Sequence, residues 1–193
     1  MLSKKTAVAL VSILAASAAS ADWTLNNAES ALFYLTTKNV NVTELNTFNR
    51  LSGNVSQAGE ANVAIDLTSV DTAISIRDER KQTMLFDVEN FPSAKIRMNF
   101  DPALLEDMAP GARVVQNAVP FQLTIHDITH EKEVGLVVVG LENGLQVSNL
   151  QPVVVEAEPL GLAGGIEALR AIVNLPNITT NAPVNFTLVF DKD

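Results

Sequence analysis

The two histidines of the chain, His126 and His130, lie four residues apart in the stretch LTIHDITHEKEV, Leu123 to Val134, together with Asp127, Glu131 and Glu133. On a helix, that spacing puts two imidazoles on one face beside carboxylates, which is a fragment of a zinc hydrolase site. A catalytic zinc takes three protein ligands and leaves a fourth position open. The chain has no third histidine and no cysteine, and nothing in the spacing of the carboxylates selects one of them as the missing ligand. No metal ligands are assigned on this basis. The lack of cysteine also excludes a thiol nucleophile, and neither a G-x-S-x-G elbow nor a glycine-rich phosphate loop occurs. No catalytic residue and no cofactor is assigned. The alternative is a hydrolase or isomerase that works through His126 and His130.

The elements around the histidines decide between these readings. VPFQLTI alternates, with Val119, Phe121, Leu123 and Ile125 on one face, and KEVGLVVVGL follows as another strand. The segment between them, His126 to Thr129, is short enough to be a hairpin turn, where Asp127 tolerates a left-handed backbone. The two imidazoles then flank a solvated turn at the rim of a β structure. ANVAIDL alternates through Val63, Ile65 and Leu67; AKIRMNFD through Ala94, Ile96, Met98 and Phe100; VNFTLVF through Val184, Phe186, Leu188 and Phe190. Period two with one apolar face marks half-buried antiparallel strands. Asn143-Gly144 between apolar runs predicts a type I′ hairpin. About eight such strands in one domain predict a closed antiparallel barrel or a sandwich, all-β in class.

Two stretches break the pattern and predict short helices. In SIRDERKQTMLFDVENFP, Ser75 to Pro92, five charges from Arg77 to Lys81 precede Met84, Leu85 and Phe86. This fits a helix over one end of the barrel, with its charges in water and Met84 and Leu85 or Phe86 as a plug. In GGIEALRAIV, Ile166, Leu169 and Val173 lie at helical spacing with Glu167 and Arg170 on the other side.

The first 21 residues have the order of a secretory signal peptide: Lys4 and Lys5, then the apolar TAVALVSILAASA, then Ala19-Ser20-Ala21 before Asp22. Export with cleavage after Ala21 and a periplasmic location are the expectations, with residues 22–193 as one domain. N-x-[ST] sequons at Asn41, Asn54, Asn177 and Asn185 suit chance in a Thr-rich β chain. The formal charge is −9, more acidic still without the leader's two lysines. An acidic chain repels phosphate backbones, so nucleic acid is not an expected partner. The apolar leader is too short to span a bilayer, so no transmembrane segment is expected in the mature chain. An outer-membrane barrel needs two aromatic girdles, which one Trp and one Tyr cannot build. A homodimer is left open, and no protein partner is specified.

IDLTSVDTAISIRDERKQTMLFDVENFPSAKIRMNF, followed by FQLTIHDITHEKEVGL, resembles the YceI-like family of exported bacterial proteins. The resemblance is carried by Ser69, Asp71, Thr72, Arg77, Asp78, Phe86, Asp87, Val88, Phe91, Pro92 and Phe100. It continues through Leu123, Thr124, Ile125, His126 and Thr129, with TFNRLSGNV as the opening strand. It runs from about Trp23 to Phe190. Asp127 stands where glycine is usual, Thr47 where many members have glycine, and GLAGGIEALRAIVNLPNI extends the simplest form of the fold. The resemblance implies a lipocalin-like antiparallel β-barrel of about eight strands, with one or two short helices. Its interior would hold a long apolar ligand, a polyisoprenoid or a quinone relative, and the histidine hairpin would have no metal role.

An eight-stranded barrel encloses either its own side chains or one small ligand. The predicted lining is Val63, Ile65, Leu67, Ile96, Met98, Phe100, Phe121, Leu123, Ile125, Phe186, Leu188 and Phe190, a wall that solvates hydrocarbon. The expected function is binding, transport or sequestration of an isoprenoid-type lipid, with no enzymatic activity. A structural envelope protein with a filled barrel is the other alternative.

Overall fold

A computed structural model of the protein describes residues 23–105 and 108–193. The expected leader and its cleavage point lie outside the described residues. Twelve strand segments and two helices follow in order. They are β1 Trp23–Leu25, β2 Ala31–Lys38, β3 Val42–Phe48, β4 Leu51–Val55, β5 Glu60–Asp66, β6 Val70–Asp71 and helix α1 Ser75–Arg80. Then come β7 Ser93–Asn99, β8 Arg113–Ile125, β9 Ile128–Leu141, β10 Gly144–Asn149, β11 Val153–Glu156, helix α2 Ala163–Ile172 and β12 Asn181–Lys192.

The twelve segments build eight staves, because four staves are broken in the middle. β1 and β2 lie end to end along one edge of β12, pairing Phe190–Lys192 and Val184–Thr187. β10 and β11 do the same along its other edge. β3 pairs with β2 and β6, while β4 pairs with β1 and β5. From β5 the order runs through β7, β8, β9 and β10 to β12, every pairing antiparallel. Contact of β1 and β2 with β12 closes the ring, so the main sheet has no free edge. The expected barrel of about eight strands with two short helices is the observed fold.

Both predicted hairpins form. His126 and Asp127 make a two-residue turn with φ of 52° and 56°, the left-handed pair of a type I′ turn. The second hairpin turns one residue earlier than expected, at Glu142-Asn143, and holds no left-handed residue. Gly144 begins β10 and is needed for a different reason: a Cβ there would lie 2.0 Å from the carbonyl oxygen of Phe190. The glycine lets β12 approach.

The core fills one half of the barrel. Trp23, Leu25, Val55, Val63, Leu145, Leu188 and Phe190 are all buried there. At the other end, α1 continues into a wider π-helical turn, Lys81–Leu85. α2 packs across that turn so closely that a Cβ on Gly165 would meet the Met84 carbonyl oxygen at 2.5 Å. These two elements frame the mouth.

Candidate functional site

The half of the barrel under α1 and α2 is hollow, with a cavity of about 410 Å³, within the range of small-molecule sites. Its wall is built by the pleat. Leu32 and Tyr34 of β2, Phe48 of β3, Ile65 of β5, Ala94 and Ile96 of β7, Phe121, Leu123 and Ile125 of β8, Val153 and Val155 of β11, and Val184 and Phe186 of β12 all face it. Ile74, Ile76, Leu85, Phe86, Ile166 and Leu169 add an apolar rim from the helical segments.

Seven of the twelve residues predicted as lining face this cavity: Ile65, Leu67, Ile96, Phe121, Leu123, Ile125 and Phe186. Val63, Leu188 and Phe190 are buried in the filled half, and Met98 and Phe100 pack against the core without reaching the cavity. They share the inward face of their strands but sit at the wrong height. Along β7, Ile96 faces the cavity and Met98, one pleat farther on and paired with Ala61, does not. The lining residues that the sequence did not yield include Leu32, Tyr34, Phe48 and Val153. In ALFYLTTK both faces begin apolar, so alternation selects neither. In VTELNTF the alternation is inverted: Glu44 and Asn46 turn toward the interior while Leu45 is exposed.

That inversion has a partner. The prediction that the charges of SIRDERK face water holds for Glu79, which is exposed, and fails for Lys81, which is only 7% exposed and lines the cavity. It stands at the end of α1, with its side chain turned into the barrel. Its Nζ donates to Tyr34 Oη at 3.0 Å and to Asn46 Oδ1 at 2.9 Å, and lies 4.9 Å from the centre of the Tyr34 ring. Asn46, fully buried, is held in turn by donating Nδ2 to Thr36 Oγ1 at 3.1 Å. Burial pulls the Lys81 amine down to about 8, opposed by the negative charge of Glu44. Burial, with Asp78 nearby, pushes the Tyr34 phenol up.

Further polar contacts fix α1. Asp78 accepts from the backbone N–H and the hydroxyl of Thr72, at 2.8 and 2.6 Å. Glu44 pairs with Lys38 at 2.7 Å and with Arg77 at 2.9 Å. Phe86 then packs 5.7 Å from Phe48, ring centre to ring centre, as the predicted plug.

The histidines do not form a site together. His126, expected in a solvated turn, is half-buried: it donates Nε2–H to the Phe86 carbonyl oxygen at 2.8 Å and its ring lies 4.8 Å from that of Phe91. It clasps the plug. His130 lies across from Leu123 on β9. Among the described residues, no group of three or more His, Asp or Glu side chains is placed to hold a metal.

The model of the YceI-like domain family matches residues 23–190. A polyisoprenoid-binding domain from Saccharophagus degradans, implicated in plant cell wall breakdown, has a solved structure with a TM-score of 0.87 and 31% identity, over 90% of this chain and 100% of that one. BcnA of Burkholderia cenocepacia is similar in fold, with a TM-score of 0.65 and 18% identity over 86% of this chain and 98% of that one. So is a Campylobacter jejuni YceI protein, at 0.51 and 14% over 77% and 85%. A comparison with curated proteins finds no match.

Proposed function

The chain belongs to the YceI-like family, and from that premise we propose that it binds a long apolar lipid of isoprenoid type, a polyisoprenoid or quinone relative, inside its barrel. It carries or sequesters this ligand in the periplasm and does no chemistry on it. The observation that carries this reading is a barrel filled at one end and hollow at the other. The hollow wall is mostly Leu, Ile, Val and Phe, with a cationic cluster at one end, and exposed Ile76 and Ile172 stand at the rim. Such a wall gains about 25 cal/mol for each Å² of hydrocarbon it takes from water. The likeness to a polyisoprenoid-binding domain at 31% identity supports the ligand class. A wholly filled barrel does not fit the cavity. A hydrolase at the mouth is weakened by His126, whose Nε2 is engaged by the Phe86 carbonyl.

Organic extraction of protein purified from the envelope of its native host, followed by mass spectrometry, tests the reading. An isoprenoid-type lipid in near-stoichiometric amount is the expected result. Folded protein that yields no lipid and takes up none from vesicles overturns it. Export rests on the leader in residues 1–21, and the N-terminus of exported material should begin at Asp22.

A further inference from the structure

We propose that Lys81, held between Tyr34 and Asn46, is the head-group site of the cavity, and that the ligand it selects ends in an anionic oxygen group, a carboxylate or a phosphate monoester. This rests on the carrier reading and adds which end of the ligand is recognised and by what chemistry.

Lys81 is a buried cation without an ion-pair partner among the described residues. An ammonium carries three donors, and two of them go to neutral oxygens, Tyr34 Oη and Asn46 Oδ1. Among the described residues no carboxylate comes within ion-pair distance of it. The nearby acids are committed elsewhere: Glu44 is shared by Lys38 and Arg77, and Asp78 accepts from Thr72. Lys38, Arg77, Arg80 and Lys81 line this end of the cavity with Glu44 as the one acid among its lining residues. This excess of cations occurs in a chain whose formal charge is −9. A buried charge without a partner is costly unless something pairs with it. A ligand whose tail lies along the apolar wall brings its end to this amine. An anionic oxygen there completes the pair, which a hydroxyl or an ester does only as a neutral acceptor.

The amine responds to pH within a usable window. Burial leaves it titrating at about 8, with Glu44 and Asp78 favouring its charged form and Arg77 and Lys38 opposing it. Tyr34, raised by burial, stays neutral in that window. Affinity for an anionic head should therefore fall as pH rises above 8.

The test is displacement of the dye N-phenyl-1-naphthylamine from the full-length protein by two matched pairs. These are oleate against methyl oleate, and geranylgeranyl monophosphate against geranylgeraniol. At pH 7 the wild type should prefer the anion of at least one pair by roughly tenfold or more. Lys81→Met should abolish that preference, lowering affinity for the anion far more than for the neutral partner, and its circular dichroism spectrum checks its fold. Raising the pH from 7 to 9.5 should erode the preference in the wild type only. Selection of oleate alone assigns the site to carboxylates, and selection of the phosphate alone assigns it to phosphates. Equal binding of anion and neutral partner by the wild type, or a preference that survives Lys81→Met, overturns the inference and leaves the carrier reading standing. Failure of all four compounds to displace the dye overturns both. If Lys81→Met does not fold, the pH profile of the wild-type preference decides: a flat profile overturns the proposal.

Discussion

Two buried groups at the barrel mouth, the Lys81 amine and the Tyr34 phenol, titrate in opposite senses and together shape stability against pH. Lys81 is lowered by burial to about 8 from the 10.5 of a free lysine. Between those values the unfolded chain holds a proton that the folded one lacks, so stability rises with pH across the window. Its upper bound is about 3 kcal/mol. Tyr34 is raised, so above pH 10 the unfolded phenol ionises first and stability falls. The melting temperature should climb from pH 7.5 to a maximum near pH 10 and then drop, and Lys81→Met should lack the climb. The histidines differ in the same local way. His126→Ala removes the bond to the Phe86 carbonyl and the ring contact with Phe91, so chemical denaturation should show a loss of about 1 kcal/mol. His130→Ala should stay within about 0.5 kcal/mol.

The helical segments depend on two adjacent glycines with opposite requirements. Gly164 is exposed, and a Cβ there would meet nothing within 4 Å. Gly164→Ala should therefore raise stability by up to about 1 kcal/mol through helix propensity. At Gly165 a Cβ would meet the Met84 carbonyl oxygen at 2.5 Å and Leu85 Cα at 2.8 Å. Gly165→Ala must push α2 off the Lys81–Leu85 turn, at about 1–3 kcal/mol. Thermal melting of the two variants should separate them in sign. If both stabilise, the close packing of α2 on the plug is wrong. GGIEALRAIV, read from sequence as an amphipathic helix within the GLAGGIEALRAIVNLPNI extension, corresponds to α2, with Ile166, Leu169 and Val173 toward the cavity and Glu167 paired with Arg170 outside.

The molecule as a whole divides into a half that provides stability and a half that provides space. Leu188 belongs to the first, buried and away from the cavity. Leu188→Ala should cost about 2–5 kcal/mol without changing the affinity for an isoprenoid probe. Val184 belongs to the second, one pleat pair nearer the mouth on the same strand. Val184→Asp puts a charge against hydrocarbon and forfeits about 60 Å² of contact, about 1.5 kcal/mol, or roughly tenfold in affinity. Equilibrium binding beside calorimetry distinguishes the two outcomes. An equal loss of affinity in both variants would mean that the halves are not separate.

Period-two alternation is a local property of the extended backbone, and it identified β5, β7, β8 and β12 with their inward faces, and with them the all-β class and the histidine hairpin. It carries no information on how high a residue sits in the barrel. Height follows from the stagger of eight staves around a closed ring, so Ile96 and Met98, alike in sequence, separate into cavity wall and packed core. Alternation also fails where a polar face turns inward, as at Glu44 and Asn46, because their reason for facing inward is Lys81, thirty-five residues beyond Asn46. A run of five charges from Arg77 to Lys81 looks solvated in one dimension. The folded chain removes Lys81 from water because its amine is laid over Tyr34 and bonded to Asn46, and both partners come from distant strands that no local pattern around Lys81 encodes.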